Sequence, residues 1–148
     1  MRAIRVAAWF VVVLALAAAP VEAQRSADPQ TLPGFAQNLG LREVDAFVET
    51  VRSLRTANTL PPRYVTKDAA SAHGWRGGGL CTLWPGHVIG GDNFHNFGRA
   101  LPPAPVRTYR EADLDSDCRG RGPKRLIFSN DGRIYVTVDH YNSFVPVP

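Results

Sequence analysis

Residues 124–138 read KRLIFSNDGRIYVTV, two runs rich in β-branched and aromatic residues that meet at Asn130-Asp131-Gly132. Asp-Gly supplies the positive φ angles of a tight hairpin turn, so 124–129 and 133–138 are expected to pair as antiparallel strands. On either side, 106–114 and 143–147 share this character, and 87–89 adds a fifth strand. Upstream the period changes. Leu41, Val44, Phe47, Val48, Val51 and Leu54 recur at three- and four-residue steps, the mark of one apolar face on a helix over 41–57. Pro61-Pro62 breaks the chain, Thr66 is placed to cap a second short helix, Asp68 favours that helix's positive end, and Gly74 suits its stop. Helices first and strands later define an α+β fold, N-terminal helices packed on a five-stranded antiparallel sheet. Gly77-Gly78-Gly79 lacks the following Gly-Lys-Ser or Gly-Lys-Thr of a phosphate loop and reads as a connector. No internal repeat is present.

A chain of 148 residues holds one domain with a core and is too short for two ordinary ones. Arg2 and Arg5 precede an apolar run over 6–19, and Pro20-Val21-Glu22-Ala23 ends in a small-x-small pattern before Gln24. This is the layout of an export signal over 1–23, and the run falls short of the roughly twenty apolar residues that span a bilayer. The expected protein is therefore secreted, extracellular or periplasmic, with no membrane anchor after cleavage. Residues 24–40 carry two prolines, two glycines and no sustained period, so they read as a flexible arm ahead of a domain over 41–148. The formal net charge of +4 falls only to about +3 without the leader, because that segment holds two basic residues and one acidic residue. A basic balance favours an anionic partner without identifying it.

Export also bears on Cys81 and Cys118, the only two cysteines, which an oxidising compartment favours pairing. Closing their loop of about 38 residues is worth roughly 4 kcal/mol in the chain-entropy model. A metal site built on Cys81, His87 and His95 matches no zinc spacing and lacks a fourth ligand, so no metal or cofactor is expected. His73 and His87 are read as surface residues.

Period two along 106–114 puts Arg107, Tyr109, Glu111 and Asp113 on one face. Arg119, Arg121, Lys124 and Arg125 cluster just beyond, and His140 follows the strand that pairs with the arginine strand. A carboxylate takes a proton from a nucleophilic hydroxyl, an imidazole gives one to a leaving oxygen, and guanidiniums hold phosphoryl charge, so the inventory suits phosphodiester cleavage. The same charges also suit a surface ion-pair network with no activity, and the residues alone leave both open.

Leu60-Pro61, Tyr64-Val65-Thr66-Lys67, Gly74-Trp75, Ile89-Gly90-Gly91-Asp92, Leu101-Pro102, Arg107-Thr108-Tyr109-Arg110-Glu111-Ala112-Asp113 and Asp139-His140-Tyr141 closely resemble the barnase family of secreted bacterial ribonucleases. The resemblance runs from about residue 41 to residue 144 at near-constant spacing. It implies the helix-plus-five-stranded-sheet fold of microbial ribonucleases and metal-free RNA cleavage, by transphosphorylation to a 2′,3′-cyclic phosphate and then hydrolysis. Carried over by position, it makes Glu111 the general base and His140 the general acid. Lys67, Arg121, Arg125 and Arg107 would bind phosphate, with Asp113 bracing the arginine pair and Asp92 holding Lys67. Tyr141 would line the substrate site beside a base-binding loop of Phe94, His95, Asn96 and Phe97. One departure stands out. The family's glutamate that accepts from guanine falls at Gly98, which implies a relaxed guanine preference with Phe97 or His95 supplying stacking. Phe97 equally suits a place over the core. The implied partners are RNA and an acidic barstar-like inhibitor, with the enzyme a monomer. The alternatives are an RNA-binding module of the same fold without turnover and a toxin domain of bacterial competition.

Overall fold

Thr31 accepts a hydrogen bond from the Gly34 amide at 3.2 Å and a proline occupies the first turn, which together start helix α1, Leu32–Asn38. The computed structural model describes Asp28 and residues 30–148, so the expected export signal lies outside the described residues. Helix α1 corrects the expectation of a flexible arm over 24–40 for its last part. Phe35 and Ala36 are buried, and the Phe35 ring stacks on Phe47 at 6.0 Å, so this turn of chain belongs to the core.

Helix α2, Val44–Ala57, buries Phe47, Val48, Val51 and Leu54, the face expected from their spacing. It starts three residues later than the periodicity suggested, although Leu41 is buried as well. Its own N-cap residue, Glu43, makes no capping bond. Instead Asp115, far along the chain, accepts from the Arg42 amide at 2.9 Å and the Glu43 amide at 3.0 Å. Lys124 Nζ holds that carboxylate at 2.7 Å. Burial alone would raise the Asp115 carboxyl, but Lys124 and the two amides outweigh it and hold it below the ordinary aspartate range. The helix ends at Asn58 in a left-handed conformation.

The sheet contains β1 (Tyr64–Val65), β2 (Val88–Phe94), β3 (Tyr109–Asp113), β4 (Arg125–Ser129), β5 (Ile134–Thr137) and β6 (Val145–Pro146), adjacent in that order. It is six-stranded and mixed rather than five-stranded and antiparallel. The extra strand, β1, runs parallel to β2 because helix α3, Lys67–Ala72, carries the chain back before β2 begins. Thr66 caps α3 by accepting from the Ala69 amide at 3.2 Å, and Gly74 follows it at φ +98°. Strand β2 outlasts the expected 87–89 because Gly90-Gly91 forms a bulge instead of a break. A Cβ on Gly90 would sit 2.6 Å from Tyr64 Cδ1 and 2.9 Å from Ala112 Cβ, so only glycine lets the three strands approach. At the other end, the β4–β5 hairpin turns at Gly132, φ +87°, with the Gly132 amide donating to the Ser129 carbonyl at 3.1 Å.

Alternation then sorts the faces. Leu126 and Phe128 of β4, Ile134 and Val136 of β5, and Leu114 meet α1 and α2 in the main core. Tyr109 and Ile127 point the other way and pack with Leu101, Phe94, Tyr135, Tyr141 and Phe144. That second face also carries Glu111, Asp113 and Arg125, as the paired registers of Glu111 with Ile127 and Asp113 with Arg125 require. A Cys81–Cys118 disulfide ties the loop beyond α3 to the loop beyond β3, as expected. His73 is exposed, whereas His87 is half-buried, and both rings stack on Trp84, at 4.1 and 4.4 Å.

Candidate active site

Glu111 sits in the middle of β3, opposite Asp92 of β2 and Ile127 of β4, and is 7% exposed. Lys67 Nζ donates to its Oε1 at 2.8 Å, and the Tyr141 hydroxyl donates to its Oε2 at 2.6 Å. Burial pushes this carboxyl up, but the hydrogen bonds from Lys67 and Tyr141, with the charges of Lys67 and Arg121, outweigh it and hold it below the usual glutamate value. Burial and the facing Glu111 drive the Tyr141 hydroxyl up to about 12, so it remains a donor. A carboxylate has about four acceptor sites, and these two donors leave room for a substrate hydroxyl. Lys67 is fixed from behind, since the Asp92 carboxylate accepts the Lys67 backbone amide at 3.1 and 3.2 Å.

Asp113, two residues along the same face, is 1% exposed. It takes Arg121 Nε and Nη2 at 2.8 Å each, and Arg125 Nε lies 3.0 Å away. Arg125 is fastened again through Nη1, which donates to the Gly122 carbonyl at 2.9 Å and the Lys124 carbonyl at 2.7 Å. The pairing raises the Arg121 guanidinium further, so its charge is permanent. Arg119 and Lys124 do not join this cluster. Arg119 is exposed and pairs with Asp117, and Lys124 serves Asp115.

The loop after β5 carries His140 and Tyr141 at φ +57° and +70°. Consecutive left-handed non-glycine residues each cost about 1–2 kcal/mol, so something must hold them. Asp139 does so, accepting from Thr137 Oγ1 at 2.9 Å, the Ser143 amide at 2.9 Å and Ser143 Oγ at 2.6 Å. Those bonds from Ser143 first, then Thr137, bring the Asp139 carboxyl down to about 2. The Tyr141 amide donates to Thr137 Oγ1 at 3.0 Å, and the His140 amide to the Pro123 carbonyl at 3.2 Å. His140 is thus tethered between the Arg121–Arg125 turn and the tyrosine bonded to Glu111, with its side chain exposed. Thr137, Asp139 and Ser143 are supports that composition and period did not single out, although an aspartate with a serine four residues on is a recognisable local bonding pattern.

Arg107 stands apart from the other expected phosphate ligands. Its Nε and Nη2 grip Asp131 at distances of 2.7 to 3.0 Å, and Nη1 donates to the Pro102 carbonyl at 2.6 Å. It lies four residues before Glu111, on the order of 13 Å along an extended strand. The Asp131 bond holds its guanidinium higher still, so it braces the hairpin turn against the 102–107 loop.

Of the expected base-binding residues, Phe94 and Tyr141 stack at 5.5 Å, with Phe144 edge-on to Phe94 at 5.9 Å. They line a groove of about 410 Å³ whose walls also include Glu111, Phe97 and Gly98. Asn96 braces the loop itself, its Nδ2 donating to the Leu101 carbonyl at 2.9 Å and its Oδ1 accepting the Leu101 amide at 3.1 Å. Phe97 is not over the core. It is 90% exposed and stacks on His95.

The arrangement joins an ionised carboxylate, a histidine on the loop whose Tyr141 bonds that carboxylate, and three cations beside an aromatic groove. A family model described as ribonuclease matches residues 49–148. A ribonuclease of Heyndrickxia coagulans is 46% identical over 90 residues, which cover 60% of this chain and 83% of that relative. Ribonucleases of Bacillus intermedius and Bacillus pumilus are each 46% identical over 90 residues, covering 60% of this chain and 56% of each relative. The chain thus spans just over half the length of those two.

Proposed function

Because this chain belongs to the barnase-type ribonuclease family and is an endoribonuclease, we propose that it cuts single-stranded RNA without a metal ion, through a 2′,3′-cyclic phosphate. The observation that carries this reading is the Tyr141–Glu111 hydrogen bond at 2.6 Å, which draws the His140 loop against the carboxylate that Lys67 also holds. Glu111 takes the proton of the 2′-hydroxyl, the 2′-oxygen bonds to phosphorus, and the O5′ bond breaks as His140 gives its proton to the leaving oxygen. In the second step the roles reverse. His140 draws a proton from water, water opens the cyclic ester, and Glu111 returns a proton to the 2′-oxygen, leaving a 3′-phosphate. Attack by a neighbouring hydroxyl is intramolecular, so alignment and charge neutralisation supply most of the catalysis. Lys67, Arg121 and Arg125 neutralise the phosphorane. The two site carboxylates already face these cations, which do the work that a divalent ion would do elsewhere.

The test is cleavage of a single-stranded RNA and its DNA counterpart in excess EDTA. The expected result is RNA cut at an undiminished rate and DNA left intact, since DNA lacks the nucleophile. Loss of RNA cleavage in chelator, or cutting of the DNA, sinks the mechanism.

Gly98 relaxes the preference for guanine. The residue has open space where a Cβ would go, so a glutamate fits there. Its carboxylate would accept the guanine N1 and N2 donors. Gly98→Glu is expected to raise the guanine-over-adenine ratio in kcat/KM by about 10- to 100-fold, the worth of hydrogen bonds to a charged group. Strict cutting after guanine by the parent refutes the relaxed preference. The bridge between Cys81 and Cys118 suits secretion. The cationic site suits an acidic barstar-like inhibitor of the monomer.

A further inference from the structure

His95 and Phe97 stack with ring centroids 5.1 Å apart and planes 12° apart, yet Phe97 is 90% exposed. A phenyl ring left in water forgoes its burial, and nothing among the described residues covers it. The loop beneath is held in one conformation. Asn96 and Arg99 adopt φ +48° and +50°, the Arg99 amide donates to the Asn96 carbonyl at 2.9 Å, and the Asn96 side chain is bonded to Leu101 in both directions. The aromatic pair lines the same groove as Glu111.

The polarity of the substrate follows from the acid-base pair. His140 gives its proton to the O5′ of the downstream nucleoside, so the RNA leaves the site on the His140 side. The nucleoside that supplies the 2′-hydroxyl sets its base over Phe94 and Tyr141. The strand upstream of it then exits away from His140, which does not line the groove, whereas Phe97 and Gly98 do. We infer that the His95–Phe97 pair is a second stacking subsite, which takes the base immediately 5′ of the nucleotide at the cleavage point. This rests on the catalytic reading above. Every base has a π face, so such a platform is tolerant of sequence, and exposed Arg99 on the same loop offers a charge to the intervening phosphate. The consequence is an enzyme that prefers longer RNA to the minimal dinucleotide.

The experiment compares kcat/KM for three substrates sharing one cleavage step: a dinucleotide, a trinucleotide extended at its 5′ end, and that trinucleotide with an abasic 5′ residue. For the parent, the ratio of trinucleotide to dinucleotide is expected to be about 5- to 150-fold, the gain from one stacked base. The abasic extension is expected to lose that gain. Phe97→Ala brings the ratio near one, and Phe97→Tyr, which keeps the ring, retains it. Matching thermal unfolding of these exposed-site variants separates the effect from folding. A ratio unaffected by Phe97→Ala, or a gain that survives in the abasic substrate, overturns the subsite while leaving the ribonuclease mechanism intact. Failure of the parent to cut any of the three overturns the mechanism and the subsite with it.

Discussion

Glu111→Gln is expected to lower kcat for RNA cleavage by roughly 10²- to 10⁴-fold, the range for loss of a positioned general base. Glutamine keeps the shape and an acceptor for Lys67 but cannot take the 2′-hydroxyl proton, so the loss falls on the chemical step in single-turnover kinetics and not on RNA affinity. His140→Ala is expected to fail comparably. An RNA-binding domain without turnover predicts no such dependence, and retention of parental rates in Glu111→Gln would contradict the assignment. The pH profile adds a sign. The Glu111 carboxyl is depressed below its ordinary value of 4.5, because Lys67, Tyr141 and Arg121 together outweigh the burial that pushes it up. The carboxylate is therefore ionised at neutral pH, and with Glu111 as the base the acid-side loss of activity is expected as pH drops through the depressed value. Tyr141→Phe removes one donor to the carboxylate, so the acidic limb of kcat/KM is expected to move upward.

Asp113→Asn is expected to destabilise the fold by roughly 3–5 kcal/mol, the cost of removing one partner from a buried ion pair. Asp113 is 1% exposed and Arg125 is 4% exposed, and a single carboxylate faces Arg125 and Arg121 together. Asparagine preserves volume but leaves the Arg125 charge uncompensated beneath the substrate face. For a domain of this size the change corresponds to a fall in Tm on the order of 10–20 °C, measurable by calorimetry. Activity falls as well, since both guanidiniums lose their anchor. A shift of only a degree or two would mean that the arginines are held by their carbonyl contacts instead.

The hairpin and the longer helix were legible from their residues. Asp131-Gly132 marked the hairpin because the turn type demands a positive φ there, and the helical spacing of Phe47, Val48, Val51 and Leu54 marked the buried face of α2. Local propensity is silent on what is settled at long range. Helix α1 escaped notice because Pro33 and Gly34 look like breakers, although Thr31 followed by a proline in the first turn is a start signal. Strand β1, two residues long, carries no period at all. Asp115 caps α2 from 72 and 73 residues away and has no local signature. At the site, Glu111 and Asp113 share a face because both lie within β3. Arg107 precedes that strand's first residue, so its alternation was carried too far, and Asp131 captures it. Gly98 was visible only against the family pattern, and the exposure of Phe97 only in three dimensions.

Whether the nucleophile is the substrate's own 2′-hydroxyl is read from the products of one defined RNA followed by ³¹P NMR. A 2′,3′-cyclic phosphate is expected to accumulate and then decay to a 3′-phosphate, and a single 2′-deoxy substitution at the cleaved nucleotide is expected to abolish cutting at that bond. Products bearing 5′-phosphates, or unimpaired cleavage beside the deoxy residue, would contradict it.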